Sequence, residues 1–352
     1  MPVNAQTIGH MSAQWGLITR QQALCSGMSR DEIDRLARSR RWTAVRRGVY
    51  AESAYVALLT SHAQRRLLAD RAASLRVGAA HVLSHHSAAY LLGLGVLHEA
   101  RPFSHVTRPG VVGSHIRHGV KHHLAPYRAE DVTTAQGVSL LGPARTALDI
   151  AREQGYRSGL VAADSALRGG ATRADLESAL GVMTFWPYST VARAVTRSAS
   201  ASSDSIAETL GRDLVSELGF GVPQQQFGLT AGGRTAWCDL RLGRHFFEVD
   251  GKAKLVPVGE GGLASRSPAD VLWDEKLRQD FVTGFKTGVS RLTWADFFGS
   301  ARTRAIERCR REYLDTCARF GTDVSDLAQY RPRGPRPRPG ARPAPLMPVW
   351  VP

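Results

Sequence analysis

The chain has 352 residues, 43% of them hydrophobic, and a formal charge of +15 at pH 7. That length exceeds one ordinary core and predicts two or three domains, and the apolar content excludes a wholly disordered chain. So basic a balance points to a polyanion, with nucleic acid as the default partner, although arginine spread along the whole chain also fits a generally basic composition.

The four cysteines, Cys25, Cys238, Cys309 and Cys317, form no CxxC pair. That argues against a disulfide frame or a cysteine zinc site and for reduced thiols in a cytoplasmic protein. The opening MPVNAQTIGHMSAQWG lacks a basic start followed by an apolar core, so no secretory signal is expected. No apolar run approaches a membrane span.

Residues 1–55 read as short helices followed by a β-ribbon. Thr19-Arg20-Gln21-Gln22 and Ser29-Arg30-Asp31-Glu32 each fit a capping box, with Gly27 in the turn between the helices. Ile33, Leu36 and Ala37 recur at helical spacing, and the opposite face carries Arg30, Arg35 and Arg38. RWTAVRRGVYA alternates, turns near Arg47-Gly48 and resumes. Two short helices, a basic second helix and a basic hairpin make a winged helix-turn-helix. Arg30, Arg35, Arg38, Arg41, Arg46 and Arg47 are its expected DNA contacts, to phosphates or a groove edge. The plainer alternative is that some of them cover a core with their stems.

Residues 56–198 predict a mixed α/β middle region. AQRRLLADRAASLRV and HVLSHHSAAYLLGL read as helices, FSHVTRPG and SHIRHGVKHHLAP as strands, and VSLLGPARTALDIARE as a strand running into a helix. Nine of the twelve histidines fall in residues 81–123. His81 and His85 have the i,i+4 spacing that holds zinc on a helix, but no cysteine or nearby acid completes a site, and ordinary hydrogen bonding is the more economical reading.

Residues 199–330 predict a third unit with the order α-β-β-β-α-β. SASASSD is a polar linker, and SIAETLGRDLVSELGFG an amphipathic helix ended by Gly219. QQQFGLT, AWCDLRL and HFFEVDG are strands, PADVLWDEKLRQDFVTGFKTG is a helix, and VSRLTW is a buried strand. Strand alternation puts Glu248, Asp250 and Lys252 on one face, and a turn at Gly243-Arg244 brings Asp239 beside them. Neighbouring carboxylates repel unless neutralised, and Mg²⁺ (or Mn²⁺ as a substitute) does this with oxygen ligands. Asp239 and Glu248 are the expected metal ligands and Asp250 an auxiliary one. Lys252 is an electrostatic helper and Glu208 an outer acid from the preceding helix. Lys276 and Asp280, one turn apart, share a helix face. The alternative is a surface hairpin with solvated acids. The tail, residues 331–352, is Pro/Arg-rich and expected to be disordered.

Two resemblances rest on these residues. Asp239, Glu248-Val249-Asp250-Gly251, Glu275-Lys276-Leu277-Arg278-Gln279-Asp280 and Arg291-Leu292-Thr293-Trp294 resemble the PD-(D/E)XK nuclease superfamily, in particular its very-short-patch-repair endonuclease-like group, over about residues 203–300. The resemblance implies metal at Asp239 and Glu248, help from Asp250, and Glu208 as the helix acid. The strict pattern has lysine two residues after Glu248. Asp250 stands there, with Lys252 as the nearest replacement, which puts turnover in question more than fold. Gly16-Leu17-Ile18-Thr19-Arg20, Gly27, Ser29 and Arg47-Gly48-Val49-Tyr50 resemble the N-terminal winged helix of AbiEi-type antitoxins from type IV toxin–antitoxin systems, over about residues 5–55. Ser84-His85-His86-Ser87-Ala88-Ala89 and Pro143-Ala144-Arg145-Thr146-Ala147-Leu148-Asp149 resemble the region C-terminal to that winged helix in relatives.

The expectation is an α/β multidomain, DNA-binding protein with a Mg²⁺-dependent, endonuclease-like domain. The alternative is a transcriptional regulator or antitoxin-like binder with an inactive nuclease fold, in phage defence. Its partners would be DNA, a second copy in a homodimer, and a cognate toxin or defence partner, with no membrane.

Overall fold

The computed structural model describes residues 4–250, 268–334, 336 and 347–351. The chain divides into two units, residues 1–199 with 341–352, and residues 200–340.

The first unit begins with α1 (Ala5–Ala13), β1 (Leu17–Thr19), α2 (Arg20–Cys25), α3 (Arg30–Arg38), β2 (Trp42–Arg46) and β3 (Val49–Glu52). Both capping boxes form. Thr19 Oγ1 accepts from the Gln22 N–H at 3.1 Å while the Gln22 side chain accepts from the Thr19 N–H at 2.9 Å. Ser29 and Glu32 do the same at 3.2 and 2.7 Å. Each box satisfies two backbone donors that a helix start leaves open. The strands form an antiparallel sheet in the order β1-β3-β2, which is winged helix-turn-helix topology. Gly48, at φ +74, turns the wing.

Next along the chain are α4 (Ser53–Ala57), α5 (His62–Ser74), β4 (Val82–Leu83), α6 (His85–Leu92), β5 (Ser104–Thr107), β6 (His115–Arg117), β7 (Val120–His123), β8 (Val132–Ala135) and β9 (Val138–Leu141). Then come α7 (Pro143–Gln154), α8 (Tyr156–Arg168), α9 (Arg173–Gly181) and α10 (Ser189–Ser198). The sheet order is β6-β7-β5-β4-β9-β8. One buried cluster runs from Met11, Ile18, Ile33 and Trp42 through Leu67 to Leu83, Val106 and Leu140. It crosses the boundary expected after residue 55, so the winged helix and this sheet share a core. A second cluster joins α7 to α10. Helix α8 approaches α7 at Gly159, where a Cβ would lie 2.3 Å from the Cβ of Ala151.

One predicted helix is shorter than its sequence suggests. Val82 and Leu83 pair with Thr107 and Val106 as a strand, so the helix starts at His85 and His81 is not on it. The PARTALD motif is a packing device. Pro143 occupies the first turn of α7. The buried Arg145 donates to Asp149 at 2.9 Å, Arg152 donates to the same carboxylate at 3.3 Å, and both guanidinium groups lie over Trp186.

Among the described tail residues, Met347 and Trp350 belong to the buried cluster of the first unit. Trp350 is 7% exposed, shares a buried cluster with Tyr55, and would lie 2.8 Å from a Cβ placed at Gly16. Its Nε1 donates to Glu52 at 3.1 Å, and Tyr55 Oη donates to the Pro348 carbonyl at 3.0 Å.

The second unit holds α11 (Ile206–Ser216), β10 (Gln224–Ala231), β11 (Arg234–Leu242), β12 (His245–Asp250), α12 (Pro268–Thr283), β13 (Gly288–Thr293) and α13 (Gly299–Phe320). The sheet order is β10-β11-β12-β13, antiparallel except for the parallel β12–β13 pair. This is the expected α-β-β-β-α-β order followed by a helix. Helix α11 reaches the sheet at Gly211, where a Cβ would lie 2.8 Å from Val249 Cγ2. Cys238, Phe246 and Val282 belong to a separate buried cluster in this unit. From the tail, Arg331 stacks over Phe227 at 4.3 Å and Arg336 pairs with Asp204 at 2.6 Å.

Candidate nucleic-acid interface and carboxylate site

The arginines expected to meet DNA are placed by α3 and the wing. Arg30, Arg35, Arg38, Arg41 and Arg47 are exposed or half-exposed. Arg46 is half-buried and donates to the His118 carbonyl. The wing does not stand alone. Arg46 and Arg47 line a cleft of about 750 Å³ with Arg76, Arg108, Arg117, His115, His118 and His122, and no carboxylate is among its lining residues. Burial pulls the Arg46 guanidinium down, Asp70 opposes this, and the like charge of Arg76 adds to it. Arg108 Nε is buried with no hydrogen-bond partner among the described residues. Five guanidinium groups around one acid-free cleft repel each other, and an anion such as a backbone phosphate relieves that repulsion. Arg76, Arg108 and Arg117 escape sequence reading because three separate segments supply them.

In the second unit two arginines link three of the acids. Glu248, on β12, is 5% exposed. Arg278 on α12 binds both of its oxygens, Nη1 to Oε1 at 3.0 Å and Nη2 to Oε2 at 2.9 Å. Arg278 also donates to Glu275 at 2.8 and 3.0 Å. Glu275 in turn accepts from Arg291 at 2.9 Å, and Arg291 donates to Asp250 at 3.2 Å. The chain Glu248–Arg278–Glu275–Arg291–Asp250 therefore alternates in sign. Asp239 Oδ2 accepts from the Val249 N–H at 2.9 Å. Burial pushes the Glu248 carboxyl up, the Arg278 hydrogen bond opposes this, and the Asp239 charge adds to the rise.

Glu208, on α11, accepts from the Asp204 N–H at 2.9 Å, Ser205 Oγ at 3.1 Å and Gln226 Nε2 at 2.8 Å. Gln226 adopts φ +55, a left-handed conformation that costs a non-glycine residue about 1–3 kcal/mol. Burial first, and then the Asp239 charge, push the Glu208 carboxyl up to about 7. Between the ordinary carboxyl range and that value the folded chain holds a proton that the unfolded chain has released. This stability is complete below the ordinary range and is lost as pH rises through about 7. Glu208→Gln, a mimic of the protonated acid, should therefore stabilise the protein above pH 7, by up to about 3 kcal/mol. The advantage should fade towards pH 4.5. A melting-temperature difference independent of pH would contradict this.

The structure thus brings Asp239 within electrostatic reach of both Glu208 and Glu248, and ties Glu248 and Asp250 to arginines. The expected convergence of Asp239, Glu248 and Asp250 on one metal is not what the geometry shows. Among the described residues these carboxylates form no group of three with ligand atoms within 4.8 Å of one another. Both Glu248 oxygens are engaged by Arg278, so as arranged the donor set does not fit Mg²⁺. Lys252 lies outside the described residues. On α12, Arg278 meets the acids, whereas Lys276 lies over Trp273.

No helix among the described residues is long and apolar enough to cross a membrane. No curated protein matches the chain. A family match falls on the middle region, beyond the winged helix that carries the antitoxin-like motifs, and takes in β4 to α9 and most of α10. Residues 79–196 match the AbiEi antitoxin C-terminal domain.

Proposed function

We propose that the chain is a DNA-binding regulator of the antitoxin type, and the match over residues 79–196 carries this reading. The basic cleft supports it, because that region lines the cleft together with the wing and the segment around Arg76. On this reading phosphate contacts from the cleft and wing give affinity, and the exposed arginines of α3 make groove contacts. An antitoxin-type domain implies a cognate toxin as protein partner. The α-β-β-β-α-β unit is then a nuclease-like scaffold whose acids are neutralised by Arg278 and Arg291. Duplex binding by the full chain, followed by fluorescence anisotropy over a salt series, tests this. Affinity should fall steeply and linearly in log–log form, and binding insensitive to salt would overturn the reading.

A second reading, metal-dependent phosphodiester cleavage, is favoured by the influence of the Asp239 charge on both Glu208 and Glu248. Supercoiled plasmid incubated with Mg²⁺, Mn²⁺ or EDTA separates the two. The regulator should leave plasmid intact under all three conditions. Metal-dependent nicking that is lost in Asp239→Ala would make the second unit a nuclease.

A further inference from the structure

The buried histidines of the first unit are not a set of independent hydrogen-bonding groups. His86 on α6, Glu99 in the segment after it and His105 on β5 bring one ligand atom each within 4.8 Å of one another. The Glu99 side chain is 5% exposed, and those of His86 and His105 are 1% and 0% exposed. His86 Nε2 lies 3.0 Å from the Leu97 carbonyl, an acceptor only, so that nitrogen carries the proton. His86 Nδ1 then presents a lone pair, is buried without a hydrogen-bond partner, and faces Glu99 Oε1 at 3.7 Å. A lone pair opposite a buried carboxylate is repulsive unless a cation lies between them. Arg66, whose charge reaches Glu99, donates instead to the Phe103 carbonyl at 2.6 Å and to Asp70 at 3.3 Å.

The third donor is His105 Nε2, 2.9 Å from the same Glu99 oxygen, which also accepts from Gln154 Nε2 at 3.3 Å; Nε2 carries the proton in the metal-free form, and the ring must shift to its Nδ1–H tautomer to bind a metal. Its other nitrogen, Nδ1, lies 2.9 Å from His123 Nε2, which fixes the ring. His123 Nε2 can accept a hydrogen bond from His105 Nδ1–H once His105 Nε2 is a ligand. Metal-bound histidines usually have their second nitrogen held in this way, by a carbonyl for His86 and by an imidazole for His105.

We propose that His86 Nδ1, Glu99 Oε1 and His105 Nε2 form a site for a divalent first-row transition-metal ion such as zinc. Two imidazoles and one carboxylate suit such an ion. The competing set His85, His105 and His123 is less suited, because His85 and His123 stack face to face at 3.8 Å. Their lone pairs lie in nearly parallel planes and do not meet at one point.

The test uses metal-stripped full-length protein. It is titrated with Co²⁺, read by its visible d–d absorption, and with Zn²⁺, read by bound metal after gel filtration and by melting temperature. Wild type should take up one ion with a rise in melting temperature. Glu99→Gln, which keeps volume and removes only the charge, and His86→Leu should each weaken binding by at least about a hundredfold with the circular dichroism spectrum unchanged. His81→Gln should bind as wild type, since His81 is held apart by Ser74 and the Ala79 carbonyl. No uptake by wild type, or wild-type titration curves for Glu99→Gln and His86→Leu, would overturn the site. It would leave a buried carboxylate–histidine cluster held by protons alone.

Discussion

Replacing Arg47, Arg76 and Arg117 together with alanine is expected to weaken duplex DNA binding by about a hundredfold at physiological salt. Each lost charge-assisted contact is worth about 1 kcal/mol in this setting, and about 3 kcal/mol corresponds to roughly that factor. The salt dependence is the sharper readout. Each phosphate contact contributes about 0.9 to the log–log slope on duplex DNA, so the triple variant should lose about 2.7 of it. The three arginines line one acid-free cleft and come from the wing, from just after α5 and from β6. Arg46 is left in place because it is half-buried and holds the His118 carbonyl. Replacing it would disturb the wing and confuse a lost contact with a lost fold. If the triple variant keeps the wild-type slope, DNA binding lies elsewhere. The exposed arginines of α3 would be the next set to remove.

How far each feature can be read from sequence depends on the range of the interaction behind it. Thr19-Gln22 and Ser29-Glu32 are legible because a capping box is complete within four residues. The α-β-β-β-α-β order is legible because each element has its own period. The HVLS segment reads as helix but folds as strand, because Val82 and Leu83 answer to Thr107 and Val106, more than twenty positions away. The cleft is invisible in sequence for the same reason, since Arg76, Arg108 and Arg117 have nothing in common locally. Glu99 is hidden likewise: it reaches His86 and His105 only through the packing of α6 on β5. In DEKLRQD of α12, the density of charge conceals which residue points to the sheet. The three-residue spacing of Glu275 and Arg278 puts both on the face that meets Glu248 and Arg291.

That last pairing yields the largest expected loss of stability. Arg278→Met should cost about 3–5 kcal/mol, because it strands a buried carboxylate whose two oxygens Arg278 now holds. Glu248 already lies above the ordinary carboxylate range through burial. Without its arginine it should escape part of the cost by taking up a proton. An acid whose folded value is raised loses stability as pH rises through that value, so the Arg278→Met penalty should grow with pH. Adding Glu248→Gln removes the stranded charge, and the double variant should recover most of the loss in urea unfolding followed by fluorescence. The same pair distinguishes the two readings of the second unit. If the acids act only as a neutralised scaffold, millimolar Mg²⁺ should leave the unfolding midpoint of Arg278→Met unchanged. If Asp239 and Glu248 are metal donors that the arginine displaces, Mg²⁺ should restore much of the lost stability in the single variant and none in the double, because the rescue requires the carboxylate of Glu248.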